Sequence, residues 1–343
     1  MESDLNYPYL SVAKYAESVA EGKFDILATY DFRSDVVLSY YSWDEYDLAR
    51  PVTPKTASGE IFAAISNCGN RERLDYLRAL DGQGLRVHQY GRCNANQIFP
   101  SGSGDTRKQK FDTAAKYPFT NAMENGKTPY YVTEKLIDAL VSGSIPIHMG
   151  VDDLRPFAPR AKSVLNTADY ADAEAMAKAM KALLANATAY DEYLAWKIGG
   201  TTREFRATMD QSLVHSTCRL CIRVGDLHRW RHEGWASALD VDASQNPYAA
   251  TNAVVLDEAR AGGAQILRIR ERGFFWFHLV ALRSSTMEEL RSEIGKRIGG
   301  YREFYRAQLV RKSAMEPLRS IETDAELRVL PPYTELEVVL FYY

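Results

Sequence analysis

The 343-residue chain has no apolar run long enough to cross a bilayer. Its longest, residues 274–282 and 338–343, stop well short of the roughly 18 residues a spanning helix needs. Neither charge is in surplus: 42 Lys and Arg face 45 Asp and Glu, a formal net charge of -3. That balance lacks the basic excess of a nucleic-acid binder. Residues 1–20 have neither the basic start nor the apolar core of a signal peptide. Cysteine is scarce, four residues in all, too few for a disulfide-built scaffold. What is present is the composition of a soluble globular chain, 46% hydrophobic and 25% charged, with length for about two domains.

The four cysteines are Cys68, Cys93, Cys218 and Cys221. Cys218-x-x-Cys221 lies near His215, His228 and His232, so spacing leaves open a zinc site, a local bridge or a reduced pair. A Cys68–Cys93 bridge is equally open. One sequon, Asn186-Ala187-Thr188, is compatible with a secretory lumen.

The hydrophobic pattern alternates between short apolar runs and helical periods. Strands are expected at 24–28, 35–40, 61–66, 85–90, 117–122 and 144–149, helices at 71–81, 133–142 and 172–196, and a loop over the Gly/Ser-rich residues 94–110. Such βαβα alternation predicts a parallel sheet with helices on both faces and a ligand at the carboxyl ends of its strands. Residues 236–264 read as a linker or surface insertion. A hairpin around Arg272-Gly273, a helix opened by the capping box Thr286-x-x-Glu289, and a last strand at 335–341 make a small α+β module.

The chemistry concentrates in 119–136. A strand ends at Glu124-Asn125, and after a Gly/Pro loop a helix opens at Thr133-Glu134-Lys135, with Thr133 as its expected cap. Free N–H groups and the positive dipole end suit a phosphate. Lys135 opposes that dipole in the first turn, a conflict that a bound pyrophosphate resolves. Glu134 is placed to accept ribose hydroxyls. Arg71 and Arg73 open the helix after the 61–66 strand, where an arginine reaches a phosphate bidentately. Asp240-Val241-Asp242 and Asp152-Asp153 read as surface and turn charges rather than metal ligands.

These residues carry a resemblance. Glu124-Asn125, then Tyr131-Val132-Thr133-Glu134-Lys135, Ala139-Leu140, Gly143, Ile145-Pro146, Gly150, Phe157-Ala158-Pro159 and Tyr193-Leu194-Ala195-Trp196-Lys197, resemble glycosyltransferase family ten, the α1,3-fucosyltransferases. A narrower likeness, to plant-type enzymes that fucosylate the N-glycan core, rests on five further segments. They are 41–47, 51–56, Ser66-Asn67-Cys68-Gly69, 214–222 and 270–273.

The resemblance implies an α/β fold: the Rossmann-like donor-binding domain of a GT-B glycosyltransferase, followed by the α+β module. In that scheme residues 1–60 are a remnant of the acceptor domain and its connection, 61–233 the GDP-fucose-binding domain, 234–264 the linker and 265–343 the module. It implies an inverting transfer of L-fucose from GDP-L-fucose to the core GlcNAc of an N-glycoprotein in the Golgi lumen. Alternatives are a Lewis-type antennal acceptor, another nucleotide-sugar donor, or a non-catalytic GDP-sugar-binding fragment.

By the same resemblance Lys135 and Arg73, or its neighbour Arg71, neutralise the diphosphate. Tyr131 and Glu134 hold the ribose, and Glu124 and Asn125 face the fucose and phosphates. No metal or other cofactor is expected, and a Cys218–Cys221 bridge is favoured over zinc. The catalytic base falls at Glu2, so the chain is expected to lack most of its acceptor domain and the usual membrane anchor.

Overall fold

The computed structural model describes residues 21, 24–32, 34–42, 45–100, 106–212, 214–232, 248–271, 277–298, 302–310 and 319–342. The chain divides into two compact units. One centres on Ser39–Met209; the other joins the stretch ending at Leu38 to Asp210–Tyr343. The division departs from the expected domains, because residues 39–60 go with the first unit and residues 210–232 with the second.

Two short parallel strands, β1 (Ala28–Thr29) and β2 (Val36–Val37), come first and belong to the second unit. They are all that forms of the two longer strands expected over 24–40.

The first unit is built on five parallel strands: β3 (Ile61–Ala64), β4 (Val87–Tyr90), β5 (Phe119–Met123), β6 (Ile145–Met149) and β7 (Leu165–Asn166). Between them run α1 (Arg71–Gly82), α2 (Thr106–Ala114) and α3 (Glu134–Ser142). After them come α4 (Ala173–Ala185), α5 (Ala187–Leu194), α6 (Trp196–Gly199) and α7 (Arg203–Asp210). Alternate residues of β3 face opposite ways. Ile61 and Ala63 join the core beneath α1 and α4, with Leu74, Leu77, Leu80, Met176 and Met180. Phe62 packs with Tyr90, Ala114 and Tyr117. Period-two alternation thus gives the sheet two covered faces, as a parallel sheet requires. Gly91 ends β4 because nothing larger fits: a Cβ there would lie 2.4 Å from the Ile65 carbonyl oxygen.

Two expectations fail locally. Residues 106–114, read as loop, form α2; the sequence TRKQKFDTA is nearly all polar and carries little helical periodicity. The helix expected over 172–196 breaks at Asn186, which ends α4 and caps α5 by accepting from the Ala189 N–H at 3.1 Å.

The second unit continues with α8 (Ser216–His232) and α9 (Ala249–Gly262), so the stretch read as linker is helical where it is described. Then follow β8 (Gln265–Glu271), β9 (His278–Leu282), α10 (Met287–Ile298), β10 (Arg302–Leu309), β11 (Ser320–Ile321), α11 (Asp324–Arg328) and β12 (Glu335–Tyr342). Their sheet has the order β11-β10-β12-β8-β9, with β12 parallel to β8 and the other pairs antiparallel. A hairpin, a crossing helix and a last strand inserted at the centre make a β-grasp arrangement. Leu267, Ile269, Leu336 and Val338 pack with Leu290 and Ile294 of α10. Arg268, Arg270, Glu335 and Glu337 alternate with them along the same strands. Among the described residues no helix is long and apolar enough to cross a membrane.

Candidate functional site

The sheet order of the first unit is β4-β3-β5-β6-β7. The chain goes from β3 outward to β4, then returns across β3 to β5, so the winding direction reverses between β3 and β5. At such a switch point the connections leave in opposite directions and open a crevice beyond the strand ends. A cavity of about 300 Å³ lies there. Its wall takes Ser66 and Asn67 from the loop after β3, Asn125 from the loop after β5, and Thr133, Glu134 and Lys135 from the start of α3.

Glu124 sits behind this wall, fully buried at the end of β5. One of its carboxylate oxygens accepts the Thr133 N–H at 2.8 Å, and the Thr133 hydroxyl donates to both, at 3.0 and 2.8 Å. The Lys135 ammonium stands 3.2 Å from the second oxygen. Lys135 also donates to the Thr133 hydroxyl at 2.7 Å and to Glu134 at 3.1 Å. Thr133 occupies the cap position of α3 but makes no side-chain cap bond: its hydroxyl donates to Glu124 and its oxygen accepts from Lys135. Glu124 is therefore a positioning residue rather than one facing a ligand, a correction to the role expected for it. Asn125 does line the cavity, and its amide oxygen is buried without a partner.

Burial alone disfavours the charge on Lys135. Glu124 and Glu134 outweigh that cost and hold the ammonium above its ordinary pKa. Glu134 is likewise held below the usual carboxylate range: burial opposes its charge, but Lys135 prevails. Burial pushes Glu124 upward, against the pull of Lys135 and Thr133. The wrong-end cation of α3 is thus neutralised from beneath by a buried carboxylate, with its open side toward the cavity.

The structure separates the two candidate arginines. Arg73 is buried, lines the cavity, and donates to the Met123 carbonyl at 3.4 Å and the Asn67 carbonyl at 2.5 Å. Arg71 is exposed and lies on a different groove, beside Cys68. Asn70 joins the two loops. It caps α1 by accepting from the Arg73 N–H and donates to the carbonyls of Glu124 and Asn125 at 3.2 and 3.1 Å. Tyr131 is buried against the same cavity, following Tyr130 at a φ of 63°.

Sequence reasoning missed several residues. Lys110 of α2 and Asp138 of α3 both line the cavity and pair at 2.6 Å. Lys55 and Lys197 hold the far end of α3. Lys55 donates to the Gly143 carbonyl at 2.6 Å, and Lys197 to those of Arg50 and Val141 at 3.0 and 3.5 Å. Cations at a helix C-terminus complement its dipole. Burial pushes both lysines down to about 8. The i, i+4 spacing of Glu134 and Asp138 is one signal; Lys55 and Lys197 stand in the resemblance segments 51–56 and 193–197, but their role at the end of α3, like that of Lys110, needs the fold.

Cys68 and Cys93 are bridged, with their Cα atoms 5.5 Å apart, tying the loop after β3 to the loop after β4. Cys218 and Cys221 are free thiols exposed on α8, so the local bridge expected for them is not formed. They sit three residues apart within a continuous helix whose geometry is set by backbone bonding rather than by a crosslink. Among the described residues no three His, Cys, Asp or Glu side chains gather as metal ligands. Glu2 and Asp240-Val241-Asp242 lie outside the described residues; Asp153 pairs with Arg155 at 2.7 Å.

A family model described as glycosyltransferase family 10 (fucosyltransferase), C-terminal part, matches residues 52–234. A fucosyltransferase-like protein of Arabidopsis thaliana is 35% identical over 297 residues, 86% of this chain and 54% of that protein. The chain belongs to glycosyltransferase family 10. An alpha-(1,4)-fucosyltransferase of Arabidopsis thaliana is 38% identical over 217 residues, covering 58% of this chain and 53% of that protein. A GDP-fucose protein O-fucosyltransferase 3 of Gallus gallus is 27% identical over 241 residues, covering 62% and 50%. The family 10 chain thus spans about half the length of these relatives. Its cavity residues fall within the matched segment 52–234.

Proposed function

We propose that this family 10 chain is the donor-binding part of an inverting fucosyltransferase, holding GDP-L-fucose in the crevice between β3 and β5. The observation that carries the reading is Lys135, kept charged by buried Glu124 while lining the cavity at the start of α3. A diphosphate there meets Lys135, Arg73 and the free N–H groups of the helix start. Glu134 is placed for the ribose hydroxyls, one residue before Lys135. As the bond from fucose C1 to the diphosphate breaks, charge grows on the leaving GDP, and fixed cations stabilise it without requiring a metal ion. The acceptor hydroxyl attacks C1 from the opposite face and gives its proton to a base, assigned to Glu2 by family resemblance.

For the acceptor, the plant-type segments 41–47, 51–56, 66–69 and 214–222 favour the core GlcNAc of an N-glycan, and hence a 1,3 linkage. The 38% identity to an alpha-(1,4)-fucosyltransferase favours an antennal GlcNAc as the second reading. A Golgi-lumenal setting accords with both, because a bridge such as Cys68–Cys93 persists in oxidising compartments.

The test is calorimetric titration of the chain with GDP and GDP-fucose, with chelator present. Saturable binding is expected, weakened about ten- to a hundredfold by Lys135→Met, the usual worth of a hydrogen bond to a charged group. A folded sample that binds neither ligand would sink the reading. Turnover of a glycan panel by the full-length protein decides between core and antennal acceptors. Glu2→Gln is expected to abolish that turnover and leave GDP affinity unchanged.

A further inference from the structure

One buried group on the cavity wall has no use in the phosphate and ribose contacts. Asp138 lies one helical turn beyond Glu134, on the same side of α3 and lining the same cavity. It is more than nine-tenths buried. One carboxylate oxygen pairs with Lys110 at 2.6 Å; the other is buried with no protein partner. A buried acceptor left unsatisfied is uncommon, because it loses its water without replacing it. Phe62, Phe111, Ala64 and Ala114 supply an apolar wall beside it.

We infer that Asp138, with Lys110 beside it, reads the base of the nucleotide and selects guanine. The inference rests on the GDP-sugar reading above. A carboxylate only accepts, so it seeks a base edge carrying donors. Guanine presents two neighbouring donors there, N1–H and the 2-amino group, and next to them the O6 acceptor that suits the Lys110 ammonium. Adenine turns an acceptor nitrogen toward the carboxylate, and uracil offers one N–H between two carbonyls. The spacing fits as well. Four residues of helix advance about 6 Å, the step from a ribose held at Glu134 to the far edge of its base. The start of α3 then holds the diphosphate at Lys135 and the ribose at Glu134, and Asp138, one turn further on, takes the base. Burial pushes the Asp138 carboxyl above its usual range, with Lys110 pulling it back; two guanine donors supply the compensation that the empty oxygen lacks.

The experiment titrates the chain with GDP, IDP, ADP and UDP. IDP differs from GDP only by lacking the 2-amino group. GDP is expected to bind about ten- to a hundredfold tighter than IDP, and tighter still than ADP and UDP, since each analogue brings fewer donors to the buried carboxylate oxygen that Lys110 does not reach. Asp138→Asn is expected to bring GDP and IDP within about threefold of each other. Lys135→Met is expected to weaken both equally, leaving their ratio intact. Equal affinity for GDP and IDP in the unmodified protein overturns the inference, with no dependence on how the variant folds. A GDP preference unchanged in folded Asp138→Asn overturns it too. Failure of every diphosphate to bind the folded chain removes the GDP-sugar reading itself, and the base assignment with it.

Discussion

Both units bury charged side chains, and they use them in opposite ways. In the second unit Arg270 of β8 makes a two-pronged pair with Asp226 of α8, at 3.0 and 2.6 Å. Arg268 pairs with Glu335 at 2.8 Å and Arg223 with Asp35 at 3.0 Å. The Phe277 ring lies 4.8 Å from both the Arg268 and Arg270 guanidinium carbons. These charges are held in ion pairs with one another. In the first unit Lys135, Lys110 and Asp138 also pair, but each presents atoms to a cavity, and Asp138 and Asn125 keep an oxygen unanswered. A cluster of charge, even one with an unsatisfied atom, is thus not a site in itself, since Arg270 also buries an Nε that makes no hydrogen bond. What the first unit adds is a cavity beside the cluster.

The strongest way to break this comparison is to open the closed network. Asp226→Ala takes from buried Arg270 its two-pronged partner and leaves Glu337, 3.7 Å away, and the more distant Glu335 as counter-charges. Removing one member of a buried pair typically costs about 3–5 kcal/mol, since the remaining charge has lost its solvent and its partner. Urea unfolding followed by circular dichroism should show that loss in the second unit, with GDP affinity of the folded protein unchanged. The double change Asp226→Leu with Arg270→Met is expected to recover most of it. A loss below about 1 kcal/mol for Asp226→Ala would show that the network is not what holds α8 to the sheet.

Much of the first unit was legible because a buried parallel strand and its following helix each leave a strong local pattern. The runs at 61–66, 117–122 and 144–149, and the helices opening at Arg71 and Glu134, all fall within a few residues of the observed elements. The module after residue 265 was legible as hairpin, helix and strand for the same reason. Pairings far apart in sequence were not. Nothing local in Lys110 announces Asp138, and nothing in Asp35 announces Arg223. The role of Glu124 was misassigned because a carboxylate at a strand end reads the same whether it faces a ligand or a neighbouring hydroxyl. Arg71 and Arg73 were indistinguishable as letters; the turn of α1 alone puts one in solvent and the other in the cavity.

A somewhat smaller effect sharpens the comparison through pH. His148 of β6 is buried beside the Ala122 carbonyl, and burial lowers its pKa to about 4. In the unfolded chain the ring binds its proton near the ordinary 6.5. The unfolded state therefore holds more protons between about 6.5 and 4, and stability falls as pH drops through that window. The contribution is fully present above the upper value and amounts to about 3 kcal/mol when the shift is fully expressed. Thermal melts of the first unit should show that slope, and His148→Leu should flatten it. His278 of the second unit is also pushed down to about 4 by burial, so the second unit should keep its own acid sensitivity in that variant. A melt of the first unit independent of pH from 7 to 4 would remove His148 from the account.

The smallest expected effect falls on Asn70, where fold and site share one side chain. Its oxygen caps α1 and its amide nitrogen ties down the carbonyls of Glu124 and Asn125. Asn70→Ala removes both functions and should cost about 1 kcal/mol, as cap deletions usually do. Asn70→Ser keeps a capping oxygen of comparable strength but has no amide to reach two carbonyls. The serine variant should therefore melt close to the unmodified protein while binding GDP roughly three- to tenfold more weakly, the worth of one or two neutral hydrogen bonds in positioning a loop. If both variants lose stability and neither loses affinity, Asn70 belongs to the scaffold alone. If serine separates the two readouts, the loop after β5 is held in its binding shape from across the switch point, by the residue that begins the helix on the other side.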